Sequence, residues 1–540
     1  MATTELDDPA REVLNQAPAL QPVDLFAVDL ALREGLEREG GGWGVPLAHE
    51  TGTLAGSVEA REHSRRAERN EPRLTTHDRF GNRIDEVELD PSWHWLLGAA
   101  VERSIHSLPW RDPQPGAHVV RAALFMLWSN ANDGVMCPVS MTYAAVPALR
   151  DGSPELAAEW EPRLTLPNYG RGALAGMAMT ERQGGSDVRA NITRAEPAGD
   201  GSYELHGHKW FCSYPPCDVF LVLAQAGGRG SDSLSCFLVE RGPGMEFQRL
   251  KDKLGTRSLP SSEVEFRGVR GWLLGEEGRG VRTIIRMVNH TRLDCLLGST
   301  TSLRRGTLEA VHHARHRSAF GALLVDQPAM RNVLADLAIE SEAATVTALR
   351  VARGYDNPAD ADFRRFATAV MKYWVTKRAA AHAAEALECL GGNGFVEDSG
   401  MPLIYRDAPL NSIWEGSGNV AALDVLRAVA KEPAGLEAFL SECDLAAGAD
   451  ARLDAHLGRT RELVRRAFAG GADGAQFQAR ALVEELAVGL QASLLVRHAP
   501  PAVADAFCAV RLDGQGGRVY GTLPPGVDAE AIVERALPAR

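Results

Sequence analysis

Five stretches of the 540-residue chain combine residue types that can do chemistry. Ala178-Met179-Thr180-Glu181-Arg182-Gln183-Gly184-Gly185-Ser186-Asp187 sets small residues, which let a backbone approach a flat ring system, beside the Thr180 and Ser186 hydroxyls. A glycine-rich loop with Ser and Asp as turn formers is the plainer account. In Lys209-Trp210-Phe211-Cys212-Ser213 the indole is a broad stacking surface and Ser213 a nearby hydrogen-bonding group. A core Trp with a structural Ser would look the same. Asn411-Ser412-Ile413-Trp414-Glu415-Gly416-Ser417-Gly418-Asn419 presents one carboxylate among small and polar neighbours. Such a group becomes an effective base when a ligand excludes water and raises its pKa, whereas a solvated loop glutamate does nothing. Arg317-Ser318-Ala319-Phe320-Gly321, with Leu324 and Gln327, offers a planar guanidinium suited to paired bonds with a pyrophosphate. Glu388-Cys389-Leu390-Gly391-Gly392-Asn393-Gly394-Phe395 reads, on its own, as a glycine-rich helix stop.

The elements that must position these residues change character along the chain. Residues 1–175 alternate helical stretches with Gly-, Pro- and Asp-rich loops, such as the Gly40-Gly41-Gly42 break, and Val119 to Trp128 is an apolar helix candidate. Residues 176–275 carry β signals: a hairpin turn at Asp200-Gly201 before alternating Tyr203-Glu204-Leu205-His206, then Val219 to Ala224, Cys236 to Val239 and Val264 to Phe266. Over residues 276–430 helical spacing returns, with Phe366, Val370, Tyr373, Ala380, Ala384 and Leu387 expected on one face. Residues 431–540 are Ala-rich and helical. The expectation is a mainly α fold with a middle antiparallel β domain and a C-terminal helical extension.

Composition narrows the function classes. With 45% apolar and 24% charged residues the chain is globular, and its length calls for two to four domains. Eight dispersed cysteines without CxxC pairs read as reduced thiols. The start, with Glu5, Asp7 and Asp8, lacks the pattern of a secretory signal, and no apolar run is long enough for a bilayer, so a cytoplasmic location without membrane contact is expected. No metal is expected: His312 and His316 share a helix face, but Arg315 and Arg317 beside them would repel a cation. Gly227 to Gly230 lacks the spacing of a dinucleotide fingerprint.

Taken together, the motifs resemble those of the acyl-CoA dehydrogenase superfamily. The Ala178 to Asp187 stretch is similar to its first signature, and Glu388 to Phe395 with Asp398 and Asp407 to most of its second. Leu403 departs from the pattern, standing where that signature expects Lys or Arg. Lys253-Leu254-Gly255-Thr256-Arg257-Ser258 and Leu274 to Gly280 look like further landmarks. The Arg38 to Trp43 segment, Cys137-Pro138-Val139-Ser140-Met141-Thr142 and the extra C-terminal helices resemble the AidB-like, alkylation-response branch, so the likeness covers nearly the whole chain. The resemblance implies bound FAD, contacted by Ala178, Met179, Thr180, Ser186, Trp210, Phe211, Ser213, Gly391, Gly392, Trp414, Gly416, Ser417 and Asn419. It also implies a homotetramer in which Arg317, Phe320 and Gln327 reach a neighbouring subunit's FAD. Glu415 is then the catalytic base for an acyl-CoA thioester, taking the α proton as the β hydride passes to FAD. Some members carry the base just before an Arg on an earlier helix; here that position is Thr291, before Arg292.

The same branch is associated with double-stranded DNA through its C-terminal domain. Net charge is -13 overall, and residues 431–540 hold 12 basic against 15 acidic residues, so no general attraction to nucleic acid exists. Arg459, Arg461, Arg465 and Arg466 do form a local patch that could meet phosphates, or equally a solvated helix face. Two readings stand at this point: a working dehydrogenase, and a DNA-associated protective flavoprotein with a vestigial pocket.

Overall fold

The computed structural model describes residues 13–228 and 232–538. The acidic start with Glu5, Asp7 and Asp8 and the last two residues of the 227–230 stretch lie outside them.

The N-terminal part is helical, as its apolar spacing predicts. The Val119 to Trp128 run forms the helix Ala117–Ser129, buried along its whole length, and packs with Asp133–Gly152 and the long helix Gly280–His316. Two features differ from expectation. A hairpin, β1 (Arg73–His77) with β2 (Arg83–Glu88), interrupts the helices; both strands are too polar and exposed to announce themselves. Gly40-Gly41-Gly42 kinks a helical path instead of ending it: Gly40 sits at φ +92 between irregular turns, a conformation glycine adopts without penalty.

The middle domain contains β3 (Ala175–Ala178), β4 (Arg194–Pro197), β5 (Tyr203–Cys212), β6 (Val219–Ala226), β7 (Leu234–Glu240), β8 (Met245–Leu250) and β9 (Ser262–Leu273). The pairings β6–β4, β4–β5, β5–β9, β9–β7 and β7–β6 close a ring, with β3 beside β6 and β8 beside β9. The domain is mixed, not wholly antiparallel: β3 and β4 both run parallel to β6. Every residue of β6 is buried, which accounts for its unbroken apolar run. Such a run signals burial on both faces but carries no information on strand direction.

Beyond it stand the helices Gly280–His316, Pro328–Asp356, Ala361–Glu388 and Gly418–Lys431. On Ala361–Glu388 the expected face holds at Phe366, Val370 and Tyr373, but Ala384 is exposed and burial continues through Ala379, Ala383 and Ala386. A seven-residue step falls about 20° short of whole helical turns, enough to shift the stripe by one position. In the extension, Ala451–Ala469 pairs with Gly471–His498, which lies across all three of Pro328–Asp356, Ala361–Glu388 and Gly418–Lys431.

Candidate active site

The two β-domain stretches are pinned together by a buried ion pair. Ala178 ends β3, Trp210 N–H donates to the Thr180 carbonyl at 2.8 Å, and Lys209 Nζ lies 2.8 Å from Glu181 Oε1, both side chains without exposure. Burial alone would raise the Glu181 pKa; the Lys209 ammonium and the Ile192 N–H overcome it and bring it down to about 2. The Lys209 ammonium also donates to the Leu223 carbonyl at 2.7 Å. Gly185 folds back so closely that an added Cβ would lie 2.4 Å from Thr180 Oγ1, so the loop keeps the Thr180 hydroxyl in place only with glycine there. Ser186 is exposed, Trp210 partly buried with Lys251 Nζ 3.3 Å from its ring centre, and Phe211 exposed. Ser213 lies close enough to act on the Cys137 thiol, whose pKa burial pushes up to about 12.

Across from them, Glu415 occupies a loop that its own side chain does not hold. Its backbone is left-handed at φ +57, unusual for a residue other than glycine. Two cations fix it through main-chain carbonyls. Lys372 Nζ donates to Trp414 O at 2.9 Å and Gly416 O at 2.5 Å, and Arg292 Nε donates to Glu415 O at 3.0 Å. Arg292 is itself paired with Asp424 at 2.7 Å, which Arg365 also meets at 3.1 Å. Trp414 Nε1 donates to Asn411 at 2.8 Å.

The Glu415 carboxyl is buried, with Oε2 lacking any partner among the described residues. Burial raises its pKa, opposed by the Thr291 hydroxyl and then by Arg292 and Lys372. Thr291, at the alternative base position, lies close enough to act on the Glu415 carboxyl, while its hydroxyl donates to the Val288 carbonyl at 3.1 Å. Cys137 and Cys295 both feel the Glu415 charge, which brings the Ser213 and Glu415 segments to one place.

Two residues after Glu415, Ser417 starts the helix Gly418–Lys431 without making a side-chain cap bond. Asn419 accepts from Arg480 Nε at 2.9 Å, and a Cβ on Gly418 would stand 3.1 Å from Lys377 Nζ. Open N–H groups with two cations nearby suit a pyrophosphate. Hydroxyls, an indole and this cationic helix start together form a donor set that fits FAD.

The remaining expected residues lie apart. Phe320 is wholly exposed at the tip of the Ser318 to Leu323 hairpin, and Gly391 and Gly392 are exposed as well. Arg317 donates to the Asn15 carbonyl, Gln327 to Ala319 O at 2.9 Å, and Asn393 to Gln16 at 3.2 Å. None of these bonds reaches the Thr180, Trp210 or Glu415 segments. Of the four arginines, Arg459 donates to Leu512 O at 3.1 Å and Arg461 pairs with Asp444 at 2.5 Å, while Arg465 and Arg466 share Glu462. Among the described residues no cluster of His, Cys, Asp or Glu could hold a metal, and no helix is long and apolar enough to cross a membrane.

The sequence reading assigned no role to the Glu181–Lys209 pair, Lys372, Asp424, Lys377 or Arg480. The one available signal was a charged residue placed inside an otherwise small or apolar stretch.

A β domain facing a helical bundle that offers a buried carboxylate with one free oxygen is the architecture of an acyl-CoA dehydrogenase. Family models agree along the chain: the adaptive response protein AidB N-terminal domain over residues 15–171, the acyl-CoA dehydrogenase middle domain over 176–269 and its C-terminal domain over 278–430. The chain belongs to the AidB branch of the acyl-CoA dehydrogenase family. It is 41% identical over 525 residues to AidB of Escherichia coli (strain K12), covering 94% of this chain and 95% of that protein. It is similar to the structure of Caenorhabditis elegans ACDH-11 in complex with C11-CoA, with a TM-score of 0.85, 27% identity and coverage of 97% and 93% of the two chains. A Bacillus anthracis acyl-CoA dehydrogenase complexed with FAD shares the fold at a TM-score of 0.73 and 18% identity, with coverage of 95% and 91%.

Proposed function

We propose that this protein is an FAD-dependent dehydrogenase of acyl-CoA thioesters in which Glu415 removes the α proton while the β hydride leaves for the flavin, giving the enoyl thioester. The supporting observation is the Glu415 carboxyl, buried, partnerless at Oε2 and raised in pKa by that burial. A base in this state accepts a proton readily near neutral pH. Bound FAD supplies the two-electron acceptor. Thr180, Trp210 and Ser213 hold its ring side, and Ser186, Ser417 and Asn419, with Lys377 and Arg480 close by, meet its phosphates. Arg317, Phe320 and Gln327 complete the FAD of a neighbour in a homotetramer; the full exposure of Phe320 favours that role. Eight unpaired, buried cysteines support a reducing, cytoplasmic setting.

The test is anaerobic flavin reduction by a panel of acyl-CoA thioesters. Glu415→Gln keeps its size and its flavin, and reduction slows by about 100-fold or more. Wild-type flavin that no thioester reduces would overturn the proposal. In that case the reading of a DNA-associated protective flavoprotein in the alkylation response gains weight. Its support is Arg465 and Arg466 on Ala451–Ala469, whose side chains are 73% and 67% exposed.

A further inference from the structure

A cavity of about 370 Å³ lies between the helices Val58–Arg69 and Gly280–His316 and the loop around Gly400. Glu415, Thr180 and Trp210 do not line it, so it is separate from the candidate active site. Its volume falls in the range of small-molecule sites, about 300–1,000 Å³. One side is apolar, formed by Leu20, Leu25, Leu308 and Leu403. Leu403 is the residue that departs from the second signature, and a long basic side chain there would enter this space.

The same cavity is lined by two guanidinium groups that make no ion pair among the described residues. Arg305 makes no hydrogen bond and no ion pair among the described residues, and its Nη2 lies 3.5 Å from where a Cβ on Gly400 would stand. Burial lowers its pKa, opposed first by Glu309 one helical turn away and then by Asp133 and Asp407 behind the wall, two carboxyls whose own pKa values burial raises. Among the described residues Arg61 donates only to uncharged oxygens: the Gln21 side chain and the carbonyls of Asp398 and Ser399 at 3.1 and 3.2 Å. Most other charges in the wall are engaged, Glu309 excepted, which attracts Arg305 across one helical turn without an ion pair among the described residues. Arg406 holds Glu397 at 2.6 Å, Arg257 holds Glu71 at 2.7 Å, and Glu68 accepts from Asn132 and Ser258. Six arginines against five carboxylates line the cavity, a surplus of one positive charge.

An unpaired guanidinium in a partly buried wall is costly unless an anion satisfies it. We infer that the cavity binds a small aliphatic carboxylate, its two oxygens on the Arg305 and Arg61 forks and its chain along Leu20, Leu25, Leu308 and Leu403. The single surplus charge favours a carboxylate over a phosphate dianion, and the apolar side favours a carbon chain over a bare ion.

The experiment is calorimetric titration of the purified full-length protein with hexanoate, hexan-1-ol and butyl phosphate. Hexanoate binds once per chain without perturbing the flavin absorbance, hexanol does not bind, and butyl phosphate binds at least tenfold more weakly. Arg305→Gln weakens hexanoate by about 10- to 100-fold, the worth of one charge-assisted interaction. Leu403→Trp fills the apolar side without altering charge and weakens it comparably, so the proposal remains testable if the arginine variant fails to fold. No hexanoate binding to the wild type, equal binding of hexanol, tighter binding of butyl phosphate, or unchanged affinity in folded variants would each overturn it.

Discussion

Replacing Glu181 by Gln removes the one carboxylate that Lys209 meets among the described residues, leaving the ammonium with the Leu223 carbonyl at 2.7 Å and a long contact to Met179 O. Two routes give the size of the loss. Breaking one side of a buried pair costs about 3–5 kcal/mol. The depression of the Glu181 pKa from 4.5 to about 2 corresponds to about 3 kcal/mol at 1.36 kcal/mol per unit. Because the pair ties β5 to the 178–187 loop, the loss appears as local opening. Amide exchange in β5, followed by mass spectrometry, should accelerate by about two to three orders of magnitude, with weaker flavin retention. The pH dependence carries a sign. A carboxyl whose folded pKa lies below its ordinary value contributes fully above about pH 4.5, and that contribution fades as pH falls toward 2. Wild-type protection should decline across that window, whereas Glu181→Gln starts lower and lacks this acid step. The double variant Glu181→Gln with Lys209→Met, having no charge to strand, should recover much of the loss. Wild-type exchange rates in Glu181→Gln would refute the reasoning.

Other expectations concern the bundle, the exposed hairpin and the extension. Lys372→Met removes both carbonyl anchors and a cation that lowers the Glu415 pKa. Flavin reduction should slow by about tenfold or more at unchanged FAD content, and the acid limb of its pH profile should move to higher pH. Phe320→Ser alters a side chain that touches nothing in its own subunit; monomer folding by circular dichroism should be unaffected, while FAD retention falls in the assembled protein. Arg465→Gln with Arg466→Gln should weaken any duplex-DNA binding and flatten its salt dependence by about two units of slope. An unchanged slope would reduce that helix face to a solvated surface.

Candidate site residues could be named from the sequence where they are local. Thr180 with Ser186, Trp210 with Ser213, and Trp414 with Glu415 each stand within a few residues of one another, and short-range order is what a signature records. The supports were not legible, because they join distant positions: Glu181 to Lys209, Lys372 to the Trp414 and Gly416 carbonyls, Arg292 to Asp424. Carbonyl acceptors leave no trace in residue type. The same limit applied to β6, whose apolar run disclosed burial but not its parallel neighbours, and to the polar β1–β2 hairpin. For Arg459 and Arg461 the sequence left a phosphate-meeting patch and a solvated helix face equally open, and the partners Leu512 and Asp444 come from the fold.

The left-handed backbone at Glu415 bears on how this sequence can drift. A side chain other than glycine in that conformation, with a carboxylate taken out of water, carries a folding penalty of about 1–3 kcal/mol from the backbone alone. Glycine or asparagine at 415 would relieve it, so Glu415→Gly should melt higher than the native protein even with its cavity. Position 415 is thus a place where mutation under stability pressure alone would erase the carboxylate within few steps. A lineage that no longer used the base would lose it first, ahead of the motifs that shape the fold. The identity of residue 415 in close relatives is therefore a sensitive gauge of whether turnover is still under selection, one that FAD content or overall identity would not provide.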